Sequence, residues 1–269
     1  MPVFADGQLL GFVCNIAHHA DIGGMSPGSM AGGMKDIYQE GLRIPVVKLF
    51  RKGKLDQDIF DILLLNVRVR EERRGDYNAQ FSALHLAARR LFEMINKYSG
   101  DLLINVFNEI IDRTYERMLS AITLIPDGVY RFEDVMDDDG REAVNVPINL
   151  TATIKGKSAL FDFAGTSPQT PGNINIPLHG TKAAVCYVLK AMLDPEIPNN
   201  QGVLDAVEVV APMGTMVSCI APASVAARAH TSQRIIDVVI GALSSALPEA
   251  AVGAANGANT MAVFAGNDP

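Results

Sequence analysis

The chain has 269 residues, 48% hydrophobic and 20% charged, which is the balance of a globular protein with length for one large core or two small ones. Its 30 acidic and 23 basic residues give a net charge of −7 without a basic block, which argues against a nucleic-acid partner or an anionic membrane surface. Three widely separated cysteines and the lack of a leader pattern or a long apolar run predict a cytoplasmic protein without a membrane span.

Residues 1–54 are predicted to be rich in strands and to carry a histidine motif. Alternating apolar residues predict a β-hairpin over residues 3–16, with a tight turn at Asp6–Gly7. The second arm of this hairpin leads directly to the sequence His-His-Ala-Asp, so the histidines are expected at a strand end. Residues 23–33 are rich in Gly and Met, which favours a shaped loop beside them. Residues 36–52 predict a helical turn followed by an irregular strand.

Residues 55–122 are predicted to form a helical segment. The first helix runs from Leu55 to about Val67, and a charged break then separates it from a second helix over residues 77–98. Apolar residues at offsets of three and four mark one face of that second helix. Gly100 is expected to end it as a C-terminal cap, and a third helix follows over residues 102–122.

Residues 123–269 are predicted to mix strands and helices. Period-two alternation begins at residue 129, and the acidic run at 137–139 is expected to be a solvated hairpin tip. Further elements are predicted as strands over 146–154 and 158–163, a loop over 165–177, a helix over 180–193, a strand over 203–210 and a helix over 231–247 capped by Thr231 or Ser232. Because strands and helices do not alternate strictly, the predicted fold class is α+β, a mixed α/β arrangement.

The histidine motif is the leading candidate for chemistry. His18, His19 and Asp21 offer nitrogen and oxygen donors suited to a divalent metal such as zinc or manganese. Adjacent side chains of a strand point to opposite faces, so one histidine is expected to share a site while the other orients it or packs. Neighbouring histidines at a strand end are also commonly structural. In either case, a third metal ligand must come from elsewhere in the protein.

A second candidate lies at the start of the last predicted helix. Arg228, His230, Thr231 and Ser232 stand where the N-terminal amides of that helix favour an anion, so a carboxylate or phosphorylated group of a substrate could dock there. The alternative is an ordinary helix cap with a surface arginine. The polar loop over residues 165–175 could line a pocket, although turn chemistry alone accounts for its composition.

Several colinear motifs resemble one known family. They include Ala-His-His-Ala-Asp-Ile-Gly-Gly-Met-Ser-Pro-Gly-Ser-Met at 17–30, Glu-Glu-Arg-Arg-Gly-Asp at 71–76, Pro-Asp-Gly-Val-Tyr-Arg-Phe-Glu-Asp at 126–134 and Thr-Ser-Gln-Arg-Ile at 231–235. Together these motifs resemble the hydantoinase B/oxoprolinase family, which includes the B subunits of ATP-dependent N-methylhydantoinases, part of 5-oxoprolinase and a large subunit of acetone-type carboxylases. The resemblance extends over nearly the whole chain.

The resemblance implies a two-subunit reaction. A hydantoinase A-type partner would bind ATP and phosphorylate a cyclic amide, and this B-type chain would let a metal-bound water open the ring. By position, His18 would be the metal ligand, His19 and Asp21 would assist, and Arg228, His230, Thr231 and Ser232 would hold the substrate.

Family members are longer and carry a Thr-His-x-x-Asp motif upstream, which would supply the other metal ligands. Both ends of this chain look cut from something longer, so its three segments are expected to belong to one larger domain. Two alternatives therefore remain: a subunit of an acetone-type carboxylase, and a truncated assembly module without catalysis of its own.

Overall fold

The computed structural model describes residues 1–5 and 7–254, and its fold class is α+β, as predicted. Asp6 of the predicted tight turn and the apolar run near the end of the chain lie outside the described residues. The chain divides into two compact units. The first contains residues 1–29 and 41–110, and the second contains residues 30–40 and 111–269.

The first unit combines two small hairpins with long helices. Strands β1 (Pro2–Ala5) and β2 (Gln8–Phe12) pair antiparallel, which confirms the predicted hairpin but ends it well before the histidines. Strands β3 (Phe50–Arg51) and β4 (Lys54–Leu55) form a second, two-residue ladder. The helices are α1 (Gln57–Leu65), α2 (Arg70–Tyr98) and the first half of α3 (Gly100–Ile122).

A small apolar cluster holds α1 against α2. Phe60, Leu63 and Leu64 of α1 are buried with Tyr77 of α2, and the ring of Phe60 meets that of Tyr77 edge to face at 5.9 Å. The α2 residue of this cluster, Tyr77, directly follows the part of the helix that was predicted as a charged break. The residues before Tyr77 are therefore held beside a core, although their composition is polar.

The beginning of α2 differs from the prediction. The helix starts at Arg70 because Glu71 and Glu72 lie in its first turn, where carboxylates interact favourably with the helix dipole. Arg73 then pairs with Asp76 one turn later and is buried. The charged run is thus helix and not a break. At the other end the positive φ angle, 76°, falls on Ser99, and Gly100 opens α3 where a cap was predicted.

The second unit is built on a four-stranded sheet in the order β5, β6, β7, β8. Strands β5 (Gly128–Asp138), β6 (Val144–Lys155) and β7 (Ser158–Asp162) form an antiparallel meander, as the period-two pattern predicted. Strand β8 (Glu208–Val210) joins β7 in parallel. The other elements are α4 (Leu178–Leu193), α5 (Gln201–Asp205) and α6 (Arg228–Leu243).

The core of this unit follows the alternation of β6. Every second residue from Val146 to Ile154 is buried, and these side chains share one cluster with Ile122 of α3, Val185 of α4 and Val238 of α6. The meander is predictable because each strand pairs with its sequence neighbour through a short turn. The large apolar core makes this unit a rigid base for the loops that leave it.

Two predicted elements of the second unit were wrong in part. Residues 203–210 were predicted as one strand, but the Asn200 side chain accepts a hydrogen bond from the Gly202 amide (2.9 Å) and starts α5 there, leaving three residues for β8. The last helix begins at Arg228 and ends at Leu243, earlier than predicted at both ends.

Within the described ranges, none of the helices combines the length and apolar character needed to cross a bilayer.

Candidate functional site

The two neighbouring histidines have different surroundings in the first unit. Residues 13–19 form no strand, so the prediction that the histidines sit at a strand end was wrong. His18 is exposed, whereas the side chain of His19 is only 9% exposed. The His19 ring lies 4.8 Å from the ring of Tyr77, and its Nδ1 lies 3.7 Å from Asp76 Oδ2. Of the pair, His19 is therefore the histidine that the fold holds in place.

Asp21 is buried and organises the loop that follows it. Its Oδ1 accepts hydrogen bonds from the amides of Gly23 (2.8 Å) and Arg68 (3.1 Å), while Oδ2 accepts from the Gly28 amide (3.0 Å) and from Arg68 Nη1 (3.0 Å). Burial alone would raise the pKa of Asp21, but these donors outweigh it and lower the pKa below its ordinary value. Both carboxylate oxygens are thus engaged in holding the chain.

Arg68 completes the order of the Gly-rich loop. Besides Asp21, its guanidinium donates to the carbonyl oxygens of Gly23 (3.3 Å), Gly24 (3.0 Å) and Ser26 (3.1 Å). The loop is therefore shaped by specific contacts, which confirms that part of the prediction. Arg68 was not among the residues that the sequence analysis singled out for this site. The sequence carries no direct signal for this pair, because the burial of Asp21 and its contact with a residue 47 positions away are properties of the fold.

The second unit contains the residues predicted to bind substrate. Arg228 opens α6 and is exposed, with its Nη1 donating to the Val225 carbonyl (3.3 Å), and His230 is partly exposed two residues later. Thr231 is buried and its hydroxyl donates to the Ile174 carbonyl. Because the N-cap is Ala227, the prediction that Thr231 or Ser232 caps the helix was wrong. Thr231 fastens α6 to the preceding loop instead.

Three side chains missed by the sequence analysis fix the loops before α6. Glu40 Oε1 accepts hydrogen bonds from the Ser224 hydroxyl and from the amides of Val225 and Ala226. Asn175 is fully buried, and the two hydrogens of its Nδ2 are shared among three carbonyls within 3.0 Å, those of Thr170, Gly172 and Ser224. Asn173 Nδ2 donates to the Ala31 carbonyl (2.7 Å). The polar loop over residues 165–175 is consequently a rigid, internally bonded structure.

Asp139 also holds a loop through main-chain hydrogen bonds, at the tip of the β5–β6 hairpin. The acidic run was predicted to be solvated, but Asp139 is 0% exposed. Its carboxylate accepts from the amides of Arg141 (2.9 Å), Glu142 (2.8 Å) and Ala143 (3.0 Å), and from that of Gly172 (2.8 Å). The prediction failed for this residue because the Gly172 amide comes from a loop 33 positions further along the chain.

A complete metal centre is not formed within the described ranges. They contain no group of three or more His, Cys, Asp or Glu side chains that could hold a metal ion. Asp21 is fully engaged by amides and by Arg68, so the histidines are the donors that this motif leaves for a metal. The imidazole of His19 has its Nδ1 3.7 Å from the Asp76 carboxylate. Further ligands would have to come from outside the described residues.

Comparison with known proteins identifies the class. The family model for hydantoinase B/oxoprolinase matches residues 1–269, and the chain belongs to this family. Among relatives, the B subunit of a putative D-/L-hydantoinase of Pseudomonas sp. is 34% identical over 260 residues, covering 92% of this chain and 44% of the relative. The beta subunit of caprolactamase from Pseudomonas jessenii is 32% identical over 273 residues, covering 100% of this chain and 46% of the relative.

A solved structure supports the fold throughout most of the chain. The crystal structure of ATP-dependent caprolactamase from Pseudomonas jessenii superimposes with a TM-score of 0.83 at 30% identity, covering 92% of this chain and 43% of that one. The chain spans about half the length or less of the curated relatives it matches. The similarity therefore establishes the family and the fold of this part, and the two named relatives are described as subunits.

Proposed function

We propose that this chain belongs to the B-type subunit of an ATP-dependent cyclic amide hydrolase of the hydantoinase or 5-oxoprolinase type. The observation that carries the proposal is the family match over residues 1–269, together with a structural neighbour that is an ATP-dependent caprolactamase. Two features support a site in the first unit. The loop around Asp21 is ordered by Arg68, and His19, two residues before Asp21, is held beside Asp76.

The proposed reaction divides two tasks between two subunits. A hydantoinase A-type partner binds ATP and transfers its γ-phosphoryl group to the carbonyl oxygen of the ring amide, leaving ADP. The B-type subunit takes the activated ring, where water adds to the carbonyl carbon and the ring C–N bond breaks. Overall, one water is consumed in opening the amide and one in releasing phosphate. The products are ADP, inorganic phosphate and a ring-opened carboxylate, whose freed nitrogen is an amine when the ring is a lactam and part of a ureido group when it is a hydantoin.

A divalent metal, zinc or manganese, is the proposed cofactor; when bound, it would lower the pKa of a water and act as a Lewis acid. This chain would contribute one histidine of the pair His18 and His19, and the remaining ligands would come from beyond the described residues. Asp21 supports the site indirectly, since its carboxylate holds the loop through Arg68.

Substrate binding is proposed for the start of α6. Arg228 presents an exposed guanidinium there, and His230 and Ser232 are partly exposed on the same turn. A cation at this position suits a carboxylate or a phosphorylated oxygen of the substrate. The Thr231 hydroxyl donates to Ile174, so its contribution is to fix the helix rather than to contact substrate.

The direct test uses the native protein purified together with its A-type subunit. Hydantoin, 5-oxoproline and caprolactam are supplied with and without ATP, and ADP and the ring-opened product are measured. We expect both products from at least one ring, only with ATP, and a loss of ring opening on His18→Ala or His19→Ala. His179→Ala is the matched control, because His179 is an exposed histidine on α4 in the other unit.

Three results would overturn the proposal in distinguishable ways. Formation of a carboxylated product that depends on bicarbonate would assign the chain to an acetone-type carboxylase. Stable binding of the A-type subunit without ATP-dependent turnover on any ring would favour a non-catalytic assembly module. Ring opening that persists in both histidine variants would remove the motif from the site.

A further inference from the structure

One polar cluster in the first unit joins His19 to three residues at the start of α2. Its members are His19, Arg73, Asp76 and Tyr77. Arg73 and Tyr77 are buried, the His19 side chain is 9% exposed, and Asp76 is 48% exposed beside them. Three atoms of this cluster, His19 Nδ1, Arg73 Nε and Tyr77 OH, have no hydrogen-bond partner among the described residues. Buried polar atoms are nearly always paired in folded proteins, so three together mark a place that requires explanation.

Arg73 fixes the carboxylate of the cluster. Its guanidinium is buried, and Nη1 lies 2.7 Å from Asp76 Oδ2, one helical turn away. Nη2 lies 3.3 Å from Glu72 Oε2, which is well exposed. Because the buried cation must keep a counter-charge, Asp76 is held in one orientation. The Oδ2 atom that meets Arg73 is also the atom that faces His19 Nδ1.

The Tyr77 ring packs against the imidazole of His19. The two ring centroids lie 4.8 Å apart at an angle of 42°. Tyr77 is in turn packed against Phe60 in the apolar cluster between α1 and α2, and burial raises the pKa of its hydroxyl, which therefore stays protonated. The His19 ring is thus placed by packing on one side and by a carboxylate at one nitrogen.

The chemical consequence concerns the second ring nitrogen. A neutral imidazole carries one proton, and the nitrogen that faces a carboxylate is the one that holds it. The other nitrogen then has a free lone pair. The present separation of 3.7 Å between His19 Nδ1 and Asp76 Oδ2 is longer than a hydrogen bond, as is common for functional contacts that tighten when a ligand binds.

We propose that Asp76, held by Arg73, is a positioning residue that fixes His19 in the Nδ1–H tautomer and leaves its Nε2 lone pair available to a metal or a proton. This inference rests on the proposed function and deepens it in two ways. It chooses His19 over the exposed His18, and it adds Asp76, Arg73 and Tyr77 as the residues that orient His19. None of the three contacts the reacting atoms; each acts through the imidazole.

The tautomer is measured directly by long-range ¹H–¹⁵N correlation NMR on native protein labelled with ¹⁵N-histidine, without metal, at mildly alkaline pH. The spectrum of His19→Gln assigns the signal. We expect His19 in the Nδ1–H form, although a free imidazole prefers Nε2–H. Asp76→Ala should move it to Nε2–H, and Asp76→Asn, whose amide oxygen accepts the same hydrogen bond, should retain Nδ1–H.

Glu72→Ala is the matched control, because it removes the other carboxylate on Arg73 without facing His19. It should leave the His19 tautomer unchanged. An Nε2–H tautomer in the unsubstituted protein would overturn the proposal, as would an Nδ1–H tautomer that survives Asp76→Ala. If Asp76→Ala does not fold, the unsubstituted protein and Asp76→Asn still decide the question.

A second measurement separates this inference from the proposed function. Binding of Mn²⁺ alone to the native complex should weaken about 10-fold to 100-fold in Asp76→Ala, the effect typical of losing a residue that orients a metal-bound histidine. His19→Ala should weaken it further, and His18→Ala should not. A loss confined to His18→Ala overturns the assignment. The expected tautomer without ATP-dependent turnover would instead overturn the proposed function alone.

Discussion

The guanidinium of Arg68 and the carboxylate of Asp21 come from positions 47 residues apart and meet at 3.0 Å between Nη1 and Oδ2. The Arg68 amide also donates to the same carboxylate, so main chain and side chain of one residue converge on Asp21. This contact ties the loop after the histidines to the segment that leads into α2. The shape of the loop therefore depends on a distant part of the same unit.

Asp21→Ala is expected to lower the free energy of unfolding of the first unit by about 2 kcal/mol, since it removes a buried acceptor of three amides and of the Arg68 guanidinium. Urea unfolding followed by circular dichroism measures the change. Arg51→Ala is the control, because the ion pair of Arg51 with Asp56 lies at the surface and should contribute less than about 1 kcal/mol. Equal losses in the two variants would contradict the structural role of Asp21.

Asp139→Ala is expected to destabilise the second unit by about 3 kcal/mol, because four buried or partly buried amides lose their shared acceptor. Asp138→Ala on the same hairpin is the control; its exposed carboxylate accepts from the Gly140 amide (2.7 Å), and its loss should cost about 1 kcal/mol or less. Urea titration of both variants measures the difference. Similar midpoints would show that the hairpin tip does not depend on the buried carboxylate.

The penalty of Asp139→Ala should also depend on pH. Burial by itself raises the pKa of Asp139, but the amides of Glu142, Arg141 and Gly172 reverse this, so the folded pKa lies below the unfolded one. A lowered folded pKa stabilises the protein above the unfolded value of about 3.9 and loses that contribution as the pH falls through the folded value. The difference between the original protein and Asp139→Ala should therefore shrink below about pH 4; a difference that grows there would contradict the sign.

The sequence was sufficient for elements whose contacts are local. Strands β5 to β7 were predicted because their side chains alternate and short turns join them, and the apolar face of α2 follows the helical period. The strand alternation and the helical period are each visible within one element or between sequence neighbours. Together they were enough to predict the α+β fold class.

The candidate site was predicted only in part, because its order depends on long-range contacts. The motif with His19 and Asp21 was visible, but neither Arg68 nor Asp76 could be assigned as a partner from spacing alone. The charged composition of residues 70–76 suggested a break, although Arg73 is buried there by its pairing with Asp76. Likewise, Asp139 was expected in solvent because the Gly172 amide that closes over it is distant in sequence.

Gly172→Ala is expected to cost about 3 kcal/mol or more, because a Cβ at this position would lie 1.9 Å from the carbonyl oxygen of Asp139, which is main chain and cannot move aside cheaply. Gly75→Ala is the control. A Cβ there meets nothing within 4 Å, and alanine in the second turn of α2 should raise stability by about 0.5 to 1 kcal/mol. Thermal and urea unfolding should therefore shift in opposite directions, and a neutral Gly172→Ala would refute the close approach.

The three cysteines should react with iodoacetamide at very different rates in the folded protein. The thiolate is the reactive form, so both access and pKa matter. Cys14 is exposed, Cys219 is partly buried with a pKa that burial raises, and burial raises the pKa of Cys186 to about 11. Mass spectrometry of timed samples should show Cys14 labelled first, Cys219 later and Cys186 last. In concentrated urea all three should react at similar rates, which separates protection by the fold from any local sequence effect. Early labelling of Cys186 under native conditions would show that α4 is not packed against the core as described.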